Sequence, residues 1–186
     1  MLTLVKAHVL PSLLGASLLV MGCVSSGPEY VKSQEQEDGD IVQMSHAAAD
    51  ALIQLADQKL GRDKAILAAS FVNIDDLEQT TTFGRIVSQQ LVTQFSKQGF
   101  EVIEMLLRKN IYIKQKGGEF LLSRAVQEIG ETHDANAVIV GTYAVGKRLV
   151  YITVKIIDST TSTILASFDY KLPIGPDTRH LLRSGS

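Results

Sequence analysis

Cys23 is the only cysteine in this chain of 186 residues, so it cannot form a disulfide bond within the chain. An apolar stretch, residues 13–21, precedes it, and Lys6 lies before that stretch. The small residue Gly22 stands directly before Cys23. A basic start, a short apolar segment and a small residue are typical of a secretory signal peptide. The stretch is too short to cross a bilayer, which needs about 20 apolar residues. The sequence therefore predicts cleavage between Gly22 and Cys23.

The segment 19–23 also resembles the lipoprotein box of bacterial envelope proteins. That resemblance implies that the Cys23 thiol is diacylated and that the new amine is acylated after cleavage. Each buried methylene contributes about 0.8 kcal/mol, so two or three acyl chains hold a protein firmly on a membrane. In such lipoproteins, an Asp directly after the acylated cysteine retains the protein in the inner membrane. Here that residue is Val24, so the resemblance implies the outer membrane. An ordinary cleaved signal peptide is the alternative.

The remaining reactive side chains form no catalytic or metal-binding pattern. No histidine lies three or four residues from another histidine or from the cysteine, as a zinc site requires, and no G-x-S-x-G elbow is present. The pair His133-Asp134 fits a helix-to-strand junction better than a catalytic pair. Gly117 and Gly118 precede a predicted helix but lack the Lys-Ser/Thr of a phosphate-binding loop. We therefore predict no enzymatic activity, no metal and no cofactor.

Several carboxylates lie close together in the segment "NIDDLEQ", between a predicted strand and a predicted helix. Such a group can bind calcium or act in acid–base catalysis, but the twelve-residue pattern of a calcium loop is absent. Polar residues at this point are not needed for a core, and loops carry recognition more often than cores do. We interpret the segment as a solvated turn. Its neighbourhood supplies a candidate interaction loop of Asn73, Asp75, Asp76, Glu78 and Arg85.

The charge and composition of the chain exclude some classes of partner. It has 18 basic and 20 acidic side chains, a net charge of −2, and loss of residues 1–22 removes one lysine and gives −3. Since a protein that tracks a phosphate backbone needs a basic surface, we expect no nucleic-acid partner. Tryptophan is absent and aromatic residues make up 6%, which leaves little stacking surface for a sugar. The apolar content of 45% is enough for one core.

The chain divides into four predicted segments. Residues 1–22 form the signal peptide, 23–40 the acylated cysteine with a flexible acidic tether, 41–174 the folded domain, and 175–186 a loosely held tail. The tether is too polar to bury the apolar surface that would offset its ordering entropy. It would span about 22 Å as a flexible coil and under about 60 Å when fully stretched.

Helices and strands alternate in the first part of the predicted domain. Helical spacing predicts amphipathic helices within 45–61, 82–99 and 119–130, and apolar runs predict strands within 65–74 and 100–105. Ser45 is the expected N-cap of the first helix, and Gly61 and Gly99 are expected just beyond the ends of the first and second.

Three further strands follow as a meander, in "NAVIVGTYAV", "LVYITVKII" and "TILASFDYKL". The second alternates strictly, which places Val150, Ile152, Val154 and Ile156 inward. Together these elements predict an α+β fold. It consists of a mixed sheet of about five strands with a C-terminal antiparallel meander, and its helices pack mainly on one face.

Three short segments, "VNIDDL" (72–77), "TFGR" (82–85) and "VGTY" (140–143), resemble the FlgO family of flagellum-associated outer-membrane lipoproteins. The likeness covers roughly residues 44–173, and the strand–helix units more distantly resemble the N-terminal domain of TolB. The resemblance implies a lipoprotein that supports the assembly or stability of the flagellar outer ring, and hence motility. Its implied partners are the flagellar basal body or a companion flagellar lipoprotein. No catalytic residues are attached to the family.

A different class of protein shares this architecture. A regulatory lipoprotein that activates or scaffolds a cell-wall synthesis or outer-membrane assembly partner also combines an acylated cysteine, a tether and a compact domain. Such proteins tend to have longer, proline-rich tethers, so the short tether here favours an assembly close to the outer membrane. An envelope hydrolase is disfavoured by the missing catalytic set. We expect a position on the periplasmic face, and a homo-oligomer or ring is compatible with the sequence.

Overall fold

The computed structural model describes residues 36–105 and 119–184, with only the backbone given for 119–125. In these residues the chain forms four α-helices and six β-strands. In chain order they are α1 (Ile41–Ala56), β1 (Ala65–Ala69), β2 (Val72–Asn73), α2 (Thr82–Lys97), β3 (Val102–Met105), α3 (Glu119–Thr132), β4 (Ala135–Val145), β5 (Leu149–Asp158), β6 (Ile164–Pro173) and α4 (Pro176–Arg183).

The strands form one mixed sheet in the order β3-β1-β4-β5-β6, and β2 pairs with β4 beyond the end of β1. Strands β3, β1 and β4 are parallel, and β4, β5 and β6 form the predicted antiparallel meander. Six strands are present rather than about five because the apolar run 65–74 is interrupted: β1 and β2 are two pieces that both lie along β4. The predicted α+β fold with its mixed sheet is confirmed.

The helices lie mainly on one face of the sheet, as predicted. Helices α1 and α2 cover a core that includes the inward residues of β5, and α4 packs against α2. Helix α3 covers the other face, where Val126 packs with Leu67 and Val138. The connection from β1 to β3 runs toward one edge of the sheet, and the connection from β3 to β4 runs back in the opposite direction. Since parallel crossovers are almost always right-handed, α2 and α3 belong on opposite faces.

The predicted inward face of β5 is confirmed, because Val150, Ile152, Val154 and Ile156 are each 1% exposed or less. The end of α2 also agrees with the prediction. Gly99 has a φ of 84°, a left-handed conformation that favours glycine, and it stands two residues beyond the last residue of the helix.

The start and end of α1 differ from the prediction. Its N-cap is Asp40, whose carboxylate accepts a hydrogen bond from the Gln43 N–H at 2.8 Å, and Ser45 is instead buried in the second turn. The helix ends at Ala56, well before Gly61. The prediction failed because Asp and Ser are equally good caps, and the apolar pattern alone does not decide between them.

The C-terminal segment, predicted to be loosely held, forms helix α4. Gly175 cannot cap this helix with a side chain, and the Asp38 carboxylate does so instead, accepting the N–H groups of Asp177 and Thr178 at 2.9 and 2.8 Å. Thr178 is fully buried, and the carbonyl of Ser184 accepts the Thr82 N–H at the start of α2 at 2.6 Å. The cap comes from a residue far away in the sequence, so local composition gave no sign of it.

The last residues of the predicted tether are likewise part of the domain. Gln36 exchanges two hydrogen bonds with Arg148, each 2.8 Å long, and the Gly39 N–H bonds to the Pro173 carbonyl at 3.5 Å. Burial alone would raise the pKa of Asp38, but hydrogen bonds from Thr178, Asp177 and Gly175 outweigh it and lower the pKa below its ordinary value. The domain therefore includes residues 36–40, which were predicted to be part of the tether.

Candidate functional site

The predicted lipidation site lies outside the described residues. Gly22 and Cys23, the two sides of the predicted cleavage point, therefore stay a prediction. The glycine pair Gly117 and Gly118 lies outside the described residues too. Over the residues that the structure does describe, no helix is long and apolar enough to span a membrane.

The three segments that carry the family likeness meet at one point of the fold, around Phe71. Strand β4 advances three residues, from Ile139 to Thr142, while its partner advances four, from Ala68 to Val72. The extra residue breaks the strand, and the Phe71 N–H turns away to the Gly84 carbonyl of α2 at 3.3 Å. This break is the reason that an apparently continuous apolar run forms two strands.

Two glycines allow this close packing. A Cβ at Gly141 of β4 would overlap the ring of Phe71, and a Cβ at Gly84 of α2 would overlap the Phe71 carbonyl. The Phe71 ring is 1% exposed, so it has no room to move aside. The rings of Phe83 and Tyr143 pack edge to face beside it, with centroids 5.5 Å apart and planes at 74°.

Hydroxyl groups complete the polar contacts of this region. Thr80 Oγ1 donates to the Phe71 carbonyl at 2.6 Å, and Ser88 Oγ donates to the Ala69 carbonyl at 2.9 Å. Thr81 caps α2 and also lies 2.9 Å from the Tyr143 hydroxyl. Burial raises the pKa of Tyr143 against the opposing effect of Thr81, so the phenol stays neutral and serves as a hydrogen-bond partner. We call Phe71, Gly84, Gly141 and Tyr143 the Phe71 cluster.

The candidate interaction loop emerges directly from this cluster. The Ile74 N–H donates to the Tyr143 carbonyl at 2.9 Å, and the Asn73 N–H donates to the Gln79 carbonyl at 3.2 Å. The Asn73 side chain accepts the Asp75 N–H at 3.0 Å, and the Asp76 side chain accepts the Glu78 N–H at 3.2 Å. Asn73 and Asp76 therefore fix the shape of the loop by binding its own backbone.

The outward side of the loop is formed by different residues. Asp75 and Glu78 are exposed, and Ile74, directly before Asp75, is 55% exposed. Arg85, the fifth predicted residue, is half-buried in the first turn of α2, where its Nη2 donates to Thr82 Oγ1 at 3.1 Å. The structure thus brings all five predicted residues to one end of the sheet. Ile74 was not among them, although an apolar residue directly before two acidic ones was the available signal.

Asp134, one of the pair considered for catalysis, makes a structural contact. Asp134 forms an ion pair with Lys64, with Nζ and Oδ1 2.7 Å apart, and the hydrogen bond from this pair raises the pKa of Lys64. His133 is exposed beside it at the junction of α3 and β4. Nowhere in residues 36–105 or 119–184 do three His, Cys, Asp or Glu side chains gather as a metal site would need.

A polar hollow of about 430 Å³ lies at the opposite end of the sheet, beside this ion pair. Its lining includes Gln127 and Ser159, whose side chains donate to the backbone carbonyls of Thr160 and Ala135. Its serine is thus bonded to a carbonyl rather than to a base, so the hollow lacks the pairing that nucleophilic catalysis requires.

Comparisons with known proteins give one family match and several structural likenesses. The family model described as "FlgO protein" matches residues 46–177. No curated protein matches the sequence.

Among solved structures, the C-terminal domain of LpoB from Salmonella enterica superposes with a TM-score of 0.51 at 10% identity, over 71% of this chain and 97% of that chain. The structure of LpoB from E. coli gives a TM-score of 0.45 at 10% identity, over 90% and 83% of the two chains. Lipoprotein GNA1162 from Neisseria meningitidis gives 0.43 at 12% identity, over 61% and 85%. At such low identity, the Salmonella likeness shows the fold alone.

Proposed function

The chain belongs to the FlgO family, and on this basis we propose that it is a non-enzymatic lipoprotein of the outer membrane. In this proposal it supports the assembly or stability of the flagellar outer ring and basal body, and thereby motility. Acyl chains on Cys23 hold it to the membrane, on the periplasmic face. Its partners are components of the basal body or a companion flagellar lipoprotein.

One observation carries the proposal: the segments that resemble the family converge on the Phe71 cluster and hold the 73–78 loop outward. The cluster consists of two aromatic rings and two glycines, and the neighbouring hydroxyls of Thr80 and Ser88 bond to backbone carbonyls. This is a scaffold rather than a reactive site. The loop presents two carboxylates and one exposed apolar side chain, Ile74, in a shape that Asn73 and Asp76 fix in advance. A preorganised loop of this kind suits recognition of a protein partner.

The position of the loop relative to Gln36, the first described residue, supports a partner near the membrane. Twelve residues separate Gln36 from Cys23. Gln36 is bonded to Arg148 in the turn between β4 and β5. That turn lies at the end of β4 where Tyr143 contacts the loop. The loop and Gln36 therefore lie at the same end of the domain.

The first experiment is deletion and complementation, measured as swimming in soft agar. Deletion should impair swimming, and the wild-type gene should restore it. Cys23→Ser should fail to restore it, because a ring component must be concentrated at the membrane. The double substitution His133→Asn with Asp134→Asn should restore it fully, because we assign these residues no chemistry. Normal swimming with defective cell-wall synthesis in the deletion strain would contradict the proposal and favour a cell-wall activator.

A second set of variants tests the loop itself. Asp75→Lys with Glu78→Lys should fail to restore swimming while the protein stays folded, because neither side chain holds the loop together. The matched control is Glu128→Lys with Glu131→Lys, which reverses two exposed charges on α3. The control should restore swimming. If the loop variant restores it equally well, the contact surface lies elsewhere on the domain.

A further inference from the structure

Strand β6 is an edge strand of the sheet. In the described part of the chain, the contact with its outer edge is at Pro173, whose carbonyl accepts the Gly39 N–H. The strand is ten residues long, and its one proline is its final residue. Long, unpaired edge strands invite pairing with another chain, and proteins normally shorten, cover or break them.

The hydrogen-bond pattern shows which backbone groups of β6 point outward. The Ile174 N–H bonds to the Arg148 carbonyl, so Arg148 and Ile174 form a hydrogen-bonded pair. In the same register Leu172 faces Val150, and Lys171 faces Tyr151. Bonded and non-bonded pairs alternate along an antiparallel ladder. The N–H and C=O groups of Ser167, Asp169 and Lys171 therefore point away from β5, toward the open side of the sheet.

The flank of α1 above this edge is also uncovered. By helical spacing, Ala49 and Leu55 lie about 60° to either side of the buried Leu52. Ala49 is 0% exposed, whereas Leu55 is 57% exposed. Asp50, which accepts hydrogen bonds from Gln94 and Gln98, marks the side that faces α2. The Leu55 flank therefore lies on the side of α1 away from α2. It is next to β6, against which α1 packs.

The residues on this uncovered flank are apolar and mostly small. Helical spacing places Met44, Ala47 and Ala51 in line with Leu55, and Ala47 is exposed. Alanines allow another helix to approach to the short end of the usual 8–10 Å axial distance. An apolar helix flank and an open strand edge therefore form one continuous surface.

The charges on β6 indicate what this surface binds. Asp169 and Lys171 are exposed on the same face of the strand, and neither has an ion-pair partner among the described residues. If two β6 strands pair antiparallel about Tyr170, each Asp169 stands directly opposite the Lys171 of the other copy. Both residues have outward backbone groups, so they form hydrogen-bonded pairs in that register.

We infer that β6 and the Met44–Leu55 flank of α1 form a dimer interface with a second copy of this chain. The two sheets join through an antiparallel β6–β6 pair, and the two α1 helices pack across the two-fold axis. A two-fold interface needs a self-complementary patch, and the Asp169/Lys171 pair supplies one. This inference does not depend on the flagellar role.

Charge reversal on the full chain, purified in detergent, tests the interface by sedimentation equilibrium. The wild-type chain should dimerise. Asp169→Lys alone and Lys171→Asp alone should each weaken dimerisation by about tenfold or more, because each places two like-charged pairs at the centre of the ladder. An equimolar mixture of these two variants should recover the wild-type affinity as a heterodimer, since every opposing pair is again complementary. Glu128→Lys, a reversal on exposed α3, should leave dimerisation unchanged.

The mixture of variants separates a loss of dimerisation from a loss of folding. Recovery in the mixture requires that residues 169 and 171 face each other across the axis, which a loss of folding does not explain. Far-ultraviolet circular dichroism should show that the single variants keep the wild-type spectrum. A wild-type chain that is monomeric throughout overturns the proposal. A dimer that both reversals leave intact, or that the mixture does not restore, also overturns it.

Discussion

Gly141→Ala tests whether the Phe71 cluster holds the strand break in place. The added Cβ would overlap three carbons of the Phe71 ring, which is fully buried. The Phe71 backbone is itself held to α2, because its N–H bonds to the Gly84 carbonyl. Overpacking of a dense core costs about 1–3 kcal/mol. For a domain of this size that cost corresponds to a fall of roughly 2–12 °C in Tm.

The assay is urea unfolding of the full chain, followed by circular dichroism. Phe71→Leu replaces the ring with a smaller side chain. It should be destabilising alone, but in the double variant it should relieve the overlap with the new Cβ. The double variant should therefore be more stable than the sum of the two single effects predicts, by about 0.5–3 kcal/mol. Ala144→Val adds volume to a half-buried position of the same strand and should change stability by less than about 0.5 kcal/mol. Additive effects, or a Gly141→Ala protein as stable as wild type, would refute the packing argument.

Three further predictions follow from other parts of the molecule. Ile152→Asp should destabilise the protein by about 3 kcal/mol or more, because residue 152 is 1% exposed and the new carboxylate would have no partner; an unchanged urea midpoint would refute the inward face of β5. Asp38→Asn should be less stable than wild type at neutral pH. Because folding lowers the pKa of Asp38 below 3.8, the difference should persist above that pH and shrink as the pH falls below it; a gap that stays constant in acid would contradict the capping role. Intact-mass analysis should show acyl chains on Cys23 and none in Cys23→Ser; an unmodified thiol on the mature protein would refute lipidation.

Much of the fold was predictable because periodicity reports burial directly. The alternation in β5 placed the right residues inward, and helical spacing within 82–99 predicted α2, whose Phe83, Val87 and Leu91 are buried. Local signals also located the end of α2, where Gly99 adopts a positive φ. These features depend on residues that are close in sequence.

The features that were missed depend on distant residues. The cap of α4 comes from Asp38, about 140 residues earlier in the chain, so the composition of 175–186 alone suggested a loose tail. The break between β1 and β2 depends on how Phe71 packs against Gly84 and Gly141, which no local pattern shows. The candidate loop was found from its polar composition, but the division of roles within it needed the structure. Asn73 and Asp76 bind the loop backbone, and only Asp75 and Glu78 project freely.

We propose that this chain is a structural component of the flagellar base at the outer membrane. Electron cryotomography of intact cells tests it most directly, by comparing averaged basal bodies from the wild type, the deletion strain and the complemented strain. The account predicts that density at the outer-membrane ring is lost or displaced in the deletion strain and restored by the wild-type chain but not by Cys23→Ser. Basal bodies with an unchanged outer ring in the deletion strain would contradict it.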